Sequence, residues 1–364
     1  MNRSLVLFFP SIERGGVEKN FYIILNFLSK KFNKIYLVTA NTNLKKKFDK
    51  KITVICPKSN FWINQNRKIK TLICLILLVK NFFYKKIIIL SFQSNVISII
   101  FSKIFNQRII IRLNTSIKKY VKNNVLKYFF KYIYSQADKI IVNSKIFKKE
   151  IYSVLRLNST LIYNSYQKLK EKKELNFFKN FKGLKILNIG RLTDQKNQIL
   201  LLKSLKILSN NNIKYRCCII GSGHEKQKLE MYIRNNNLKK FIKLVGYKKN
   251  AEKFLHKIDV FILSSKYEGL PNVLIEAQSR NIPIISSDCP TGPRELLLNG
   301  KLGDLFKVND YKKLSELIIK YYKNKNLLKK KIILSKKYFN RFNLEINCKK
   351  YYQIILKYIS YERE

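Results

Sequence analysis

The chain has 364 residues, 46% of them hydrophobic, with 74 basic and 22 acidic side chains and a formal charge of +52. That length suits two ordinary domains, and that hydrophobic content excludes a disordered chain, which needs low hydrophobicity. The charge favours polyanionic company: nucleic acid, an anionic membrane face or phosphorylated ligands. Yet the lysines are spread along the whole chain amid abundant Asn, Ile, Tyr and Phe, so the drift of an AT-rich genome is the simpler origin of most of it.

The first residues, MNRSLVLFFPSIERGG, hold only a short apolar run and read as a first strand, not a signal peptide. Strand-length apolar runs follow at 34–40, 52–56, 86–92, 108–113 and 139–144. They are rich in Ile and Val and do not alternate, as expected of parallel strands covered on both faces. Helix-length segments lie between them at 17–30, 64–83, 94–105 and 120–136. The run TLICLILLV (71–79) is too short for about 30 Å of hydrocarbon, and Lys80, Lys85 and Lys86 follow it. It reads as a buried or membrane-touching helix.

Residues 166–183 are charged, lack periodicity and read as a linker. Alternation then restarts, with strands expected at 184–190, 215–221, 241–246, 260–265 and 282–287. Helices are expected at 196–209, 224–236, 250–257, 271–280 and 293–298, and a basic helical stretch fills 311–361. The expectation is α/β: two doubly wound, Rossmann-like domains, 1–165 and 184–340, facing across a cleft, with 341–364 a C-terminal helix returning to the first. Cys56, Cys74, Cys217, Cys218, Cys289 and Cys348 have no CxxC spacing and read as thiols in a reducing compartment, neither disulfides nor a zinc site.

Candidate chemistry sits on turns that follow strands. In GRLTDQKNQ (190–198), Arg191 and Lys196 flank a helix start after Gly190, a place for a pyrophosphate or a plain solvated basic turn. GSGHE (221–225) has Gly221 and Gly223, which permit close backbone approach, but lacks the third glycine of the dinucleotide fingerprint. SSKYEGLPNVLIEAQ (264–278) places Glu268 in a loop and Glu276 in a helix, with Gly269, Leu270, Pro271 and Asn272 at the turn between. The turn amides can face a phosphate or sugar hydroxyl, and Glu276 suits a ribose diol; its apolar flanks disfavour a solvated carboxylate. In DCPTGPRELL (288–297), Thr291, Gly292 and Arg294 can face a phosphate, and Glu295 is a second hydroxyl acceptor. Gly15 and Gly16 open the first helix, either as a ligand turn or as a tight turn alone.

Taken in this order, GRLTDQKN, GSGHE, YEGLPNVLIEA and DCPTGPRELL make the chain resemble glycosyltransferase family 4, the retaining hexosyltransferases of GT-B fold, in the form found in bacterial capsule and lipopolysaccharide synthesis. The resemblance implies a nucleotide-sugar donor, UDP by preference. Arg191 and Lys196 would neutralise the leaving diphosphate with no metal, Glu268 would hold sugar hydroxyls and Glu276 the ribose. Gly15 and Gly16 would admit the diphosphate. Many members carry a histidine near the sugar in the first domain. This chain's two histidines, His224 and His256, lie in the second, and the matching turn RLNTS offers Asn114 and Thr115.

The acceptor expected is a glycan or lipid-linked sugar at the cytoplasmic face of the plasma membrane, where 64–83 and 120–134 could dock peripherally. Rival readings fit less well. A sugar-nucleotide epimerase needs acid–base groups in the cleft, and the first domain has no histidine, while a degenerate subunit would not keep Arg191, Lys196, Glu268 and Glu276. No zinc spacing or compact basic motif supports a specific nucleic-acid partner.

Overall fold

Runs such as LVLF and IIIL have no polar register to show to water, so both of their faces must be covered by helices. The computed structural model describes residues 3–12, 15–44, 48, 50–324, 326 and 329–359. Its chain divides into two compact units, Met1–Ser165 with Asn343–Glu364, and Tyr166–Phe342.

The first unit is a parallel sheet of β1 (Ser4–Phe8), β2 (Ile35–Val38), β3 (Ile52–Ile55), β4 (Ile87–Ser91), β5 (Arg108–Leu113), β6 (Lys139–Val142) and β7 (Thr160–Leu161), in the order 3-2-1-4-5-6-7. Its helices are α1 (Gly16–Ser29), α2 (Arg67–Phe82), α3 (Asn95–Ile104), α4 (Asn124–Ser135) and α5 (Lys145–Glu150). Alternate residues of β1 point to opposite cores: Val6 and Phe8 join Leu78 of α2, Ile99 of α3 and Ile133 of α4, while Leu5 and Leu7 join Phe21 and Leu25 of α1. That second face is completed by Cys348, Tyr351 and Ile355 from the C-terminal segment Leu344–Ile359.

The second unit is a parallel sheet of β8 (Leu184–Ile189), β9 (Tyr215–Ile220), β10 (Ile242–Gly246), β11 (Val260–Leu263), β12 (Ile284–Ser287) and β13 (Asp304–Phe306), in the order 10-9-8-11-12-13. It carries α6 (Gln198–Asn210), α7 (Lys226–Asn235), α8 (Asn272–Ser279), α9 (Pro293–Leu296), α10 (Tyr311–Lys323) and α11 (Lys329–Tyr338); the Leu344–Ile359 helix of the first unit is α12. Both units are doubly wound, as the strand patterning indicates.

Local expectations are refined in three places. The helix expected at 250–257 is a 3-10 turn, Ala251–Phe254, bracketed by Asn250 and Lys257 at positive φ. Among the described residues the basic helical stretch 311–361 consists of α10, α11, a 3-10 turn at Phe339–Phe342 and α12. Residues 166–183, expected as a linker, pack into the second unit: Leu175 and Phe178 are buried, and Arg216 donates to the Phe177 carbonyl at 2.7 Å while stacking over Phe177 and Phe181. Lysines between the buried positions hide that packing from any periodicity count.

Candidate active site

The order 10-9-8-11-12-13 reverses direction between β8 and β11, and the turns at the carboxyl ends of those two strands therefore meet. The β8 turn carries Arg191 and Lys196; the β11 turn carries Glu268. Lys196 Nζ donates to Glu268 Oε1 at 2.5 Å, and Ser265 Oγ donates to the same oxygen at 2.6 Å. Glu268 Oε2 has no protein partner among the described residues. The Glu268 side chain is only 7% exposed, so its charge depends on these two donors. Bonds to main-chain carbonyls lock the two turns in register: Ser264 Oγ donates to the Lys196 carbonyl at 2.9 Å, and the Lys266 amide to the Gln195 carbonyl at 2.8 Å. The helix expected to start at Lys196 starts at Gln198, after a 3-10 turn and Asn197 in the left-handed region. Arg191 is exposed and has no ion-pair partner among the described residues.

The β12 turn joins from the other side. Ser287 Oγ donates to the Ser265 carbonyl at 2.6 Å, and Thr291 Oγ1 donates to the Glu268 main-chain carbonyl. A Cβ on Gly292, at φ +65°, would lie 1.7 Å from the Gly269 carbonyl oxygen and 2.8 Å from Pro271 Cδ. Gly292 thus lets this turn close on the Gly269–Leu270–Pro271 turn, which leads into α8 at Asn272. The same holds for GSGHE. A Cβ on Gly221 would meet the Gly190 carbonyl oxygen at 1.8 Å, and one on Gly223 the Leu192 carbonyl oxygen at 2.2 Å. The close approach that these two glycines permit is of one turn to the next.

Glu276 is 7% exposed and set among buried Leu274, Ile275 and Ala277 on α8, so it is no solvated helix carboxylate. Arg294 is exposed and grips Asp288 with both Nε and Nη2, the Nε contact at 2.8 Å. Its guanidinium is therefore already neutralised by a carboxylate six residues earlier in the chain. Glu295, on the same turn, is half-buried. Ser265 and Asp288 lie inside the motifs but are not among the candidate residues; each sits within six residues of the group it holds, and nothing in composition singles it out. Cys289, also near Glu268, is no nucleophile: burial pushes its thiol up to about 12, and the Glu268 carboxylate adds to the effect.

In the first unit, Gly15 caps α1 in extended backbone and Gly16 begins the helix. A Cβ on Gly15 would meet Glu18 Oε2 at 2.8 Å, so a carboxylate already lies at this helix N-terminus. Asn114, half-buried after β5, has its carbonyl oxygen taken by Arg112 Nη1 at 2.5 Å and donates to the Phe92 carbonyl at 3.3 Å; Thr115 beside it is exposed. His224 is exposed on the β9 turn, and His256 is half-buried. Among the described residues no group of three or more His, Cys, Asp or Glu is placed to hold a metal ion.

The model of the group 1 glycosyl transferases matches residues 168–337, within the second unit. An uncharacterized glycosyltransferase of Methanocaldococcus jannaschii is 32% identical over 307 residues, covering 78% of this chain and 75% of that protein. A UDP-Gal:alpha-D-GlcNAc-diphosphoundecaprenol alpha-1,3-galactosyltransferase of Escherichia coli is 34% identical over 125 residues, 34% of this chain and 32% of that enzyme. Anabaena HepE, solved with UDP and glucose, shares the fold at TM-score 0.79, covering 98% of this chain and 100% of its own, with 14% identity. The GT-B fold and a likeness to the archaeal relative over more than three quarters of the chain make this protein a member of the group 1 glycosyl transferases.

Proposed function

We propose that this glycosyltransferase moves a hexose from a UDP-sugar to a lipid-linked or glycan acceptor in cell-surface polysaccharide synthesis, with retention of anomeric configuration. The observation that carries the donor half of this reading is the Lys196–Glu268–Ser265 constellation at the strand-order reversal, with Glu268 Oε2 left for a sugar hydroxyl and Arg191 unpaired beside it. As the bond from C1 to the diphosphate breaks, negative charge grows on the leaving oxygen, and Arg191 and Lys196 are the cations to meet it. The acceptor oxygen bonds C1 on the face the diphosphate leaves, and its proton passes to the leaving phosphate. Glu276 holds the ribose diol. The likeness to an enzyme whose acceptor is a diphosphoundecaprenol-linked sugar supports the lipid-linked acceptor and, with it, work at the inner face of the plasma membrane.

Calorimetric titration with UDP, GDP and ADP tests the donor half. Saturable binding of UDP above the other two, weakened by Glu276→Ala and by Lys196→Ala at fixed salt, is the expected outcome. Equal, weak binding of all three, unchanged by both substitutions, would mean that the +52 charge alone attracts nucleotides. Because side chains supply the positive charge in this scheme, sugar transfer is expected to persist in excess chelator; its loss, restored by a divalent ion, would overturn that part.

A further inference from the structure

We propose that the outer surface of α2, α3 and α4 in the first unit docks on an anionic lipid bilayer. The three helices share one face of the sheet. Leu78 of α2, Ile99 of α3 and Ile133 of α4 point into a single core, and α2 touches α3 through Phe83 and Phe105. Each helix also has a second apolar stripe that faces away from that core. On α4 it is Val125, Tyr128, Phe129 and Tyr132, the i, i+3, i+4, i+7 spacing of one helix face, with exposures from 45% to 76%. On α2 it is Ile69, Leu72 and Ile76, and on α3 Ile97, Ile100 and Ile104, all at least 36% exposed. Among the described residues the first unit holds 17 of the exposed large hydrophobic side chains and the second, of similar size, only five. An apolar surface this extensive and this localised is one that something covers.

Charge says what covers it. Residues 50–137 contain 17 lysines and arginines and no acidic residue, although a proportionate share of the chain's 22 would place about five there. Uniform drift toward lysine does not explain a stretch emptied of carboxylates. Exposed Lys80, Lys103, Lys122 and Lys131 lie on or beside the stripes. Aromatic and branched side chains in the acyl boundary, with lysines reaching phosphates, is the pattern of a helix lying in a membrane interface. Each Lys near an anionic surface adds roughly 1 kcal/mol. No helix among the described residues is long and apolar enough to cross a membrane, so the contact proposed is with the surface.

The inference rests on this surface alone and is independent of the donor chemistry. Its test is flotation of the purified protein with vesicles of phosphatidylglycerol and phosphatidylcholine, against vesicles of phosphatidylcholine only. The expected result is binding to the anionic vesicles that persists in part at about 1 M salt, where the Debye length is about 3 Å. A Tyr128→Ser, Phe129→Ser, Tyr132→Ser triple variant should lose at least tenfold in partition while keeping its unfolding transition and its nucleotide binding. Hydrogen–deuterium exchange on the unaltered chain gives a second readout: vesicles should slow exchange in 67–82, 95–104 and 124–135. Binding that the triple variant leaves unchanged, or protection confined to other segments, would overturn the proposal in favour of attraction by charge alone. So would a dimer that the variant dissociates in a protein that ignores vesicles, for then the occupant is a second copy.

Discussion

In the second unit, the turns after β8, β9, β11 and β12 hold one another through main-chain contacts and short side chains, whereas in the first unit the turn after β5 is held by side-chain bonds, with one buried side chain at their centre. That side chain is Arg112. It is 1% exposed, donates to Asn114 and, at 2.6 Å, to Asn164 Oδ1, and stacks over Phe92, with no carboxylate paired to it among the described residues. The same doubly wound plan thus yields a preorganised constellation of opposite charges in one unit and an uncompensated cation among amides in the other. Preorganised charge is what stabilises a transition state; a carbonyl already committed to a guanidinium has little left for a substrate.

If that contrast governs catalysis, Glu268→Ala should lower the transfer rate by roughly 10²–10³-fold, within the range for loss of one preorganised polar group. Asn114→Ala should lower it by less than about tenfold, the worth of one ordinary hydrogen bond. Initial rates on a nucleotide sugar measure both. Equal losses would break the comparison and put the first unit's turn at the reacting sugar.

Stability should divide along the same line. Gly292→Ala drives a Cβ into the Gly269 carbonyl, and at positive φ it has no relaxed conformation to adopt. A cost of about 3 kcal/mol is expected in denaturant unfolding of the second unit, with nucleotide binding lost in parallel. Gly15→Ala meets only the end of the flexible Glu18 side chain and should cost less than about 1 kcal/mol. Between the two falls Arg112→Met, which removes a buried cation but takes from the Asn114 carbonyl its Arg112 donor, while Asn164 Oδ1 keeps Asn143 Nδ2 at 3.5 Å. It should cost about 2 kcal/mol in the first unit and leave the second untouched.

The parts of the molecule legible from sequence are those that repeat a simple physical demand. Non-alternating Ile and Val runs announced the parallel strands, and glycines and prolines after them announced the turns. β13 and the two-residue β7 were missed because three or two residues carry no period. At the site, sequence names Lys196 and Glu268 but does not join them, since their separation of 72 positions vanishes only once the strand order is known. Gly221 and Gly223 suit a ligand or a plain turn equally well in sequence, which records that a Cβ is missing, not what fills its place. In sequence Arg294 can face a phosphate, because Asp288, six residues earlier, meets it only after the turn is folded.

The finest test uses two ion pairs that join the same two turns. Lys196–Glu268 is largely shielded, with side chains 16% and 7% exposed, while Lys266 donates to Asp194 at 2.5 Å in the open, with side chains 36% and 68% exposed. The Lys266 hydrogen bond holds the Asp194 carboxyl below its ordinary value. A depressed folded pKa contributes stability that is present above the unfolded pKa and is lost as pH falls through the folded one. The window is therefore acidic, below about pH 4, and water and salt keep the contribution small. Lys266→Ala should raise the Asp194 pKa toward the ordinary carboxylate range in an NMR titration and change sugar transfer hardly at all. If that exposed pair proved as costly to remove as Lys196, burial would not be what separates a structural clasp from a catalytic one in this unit.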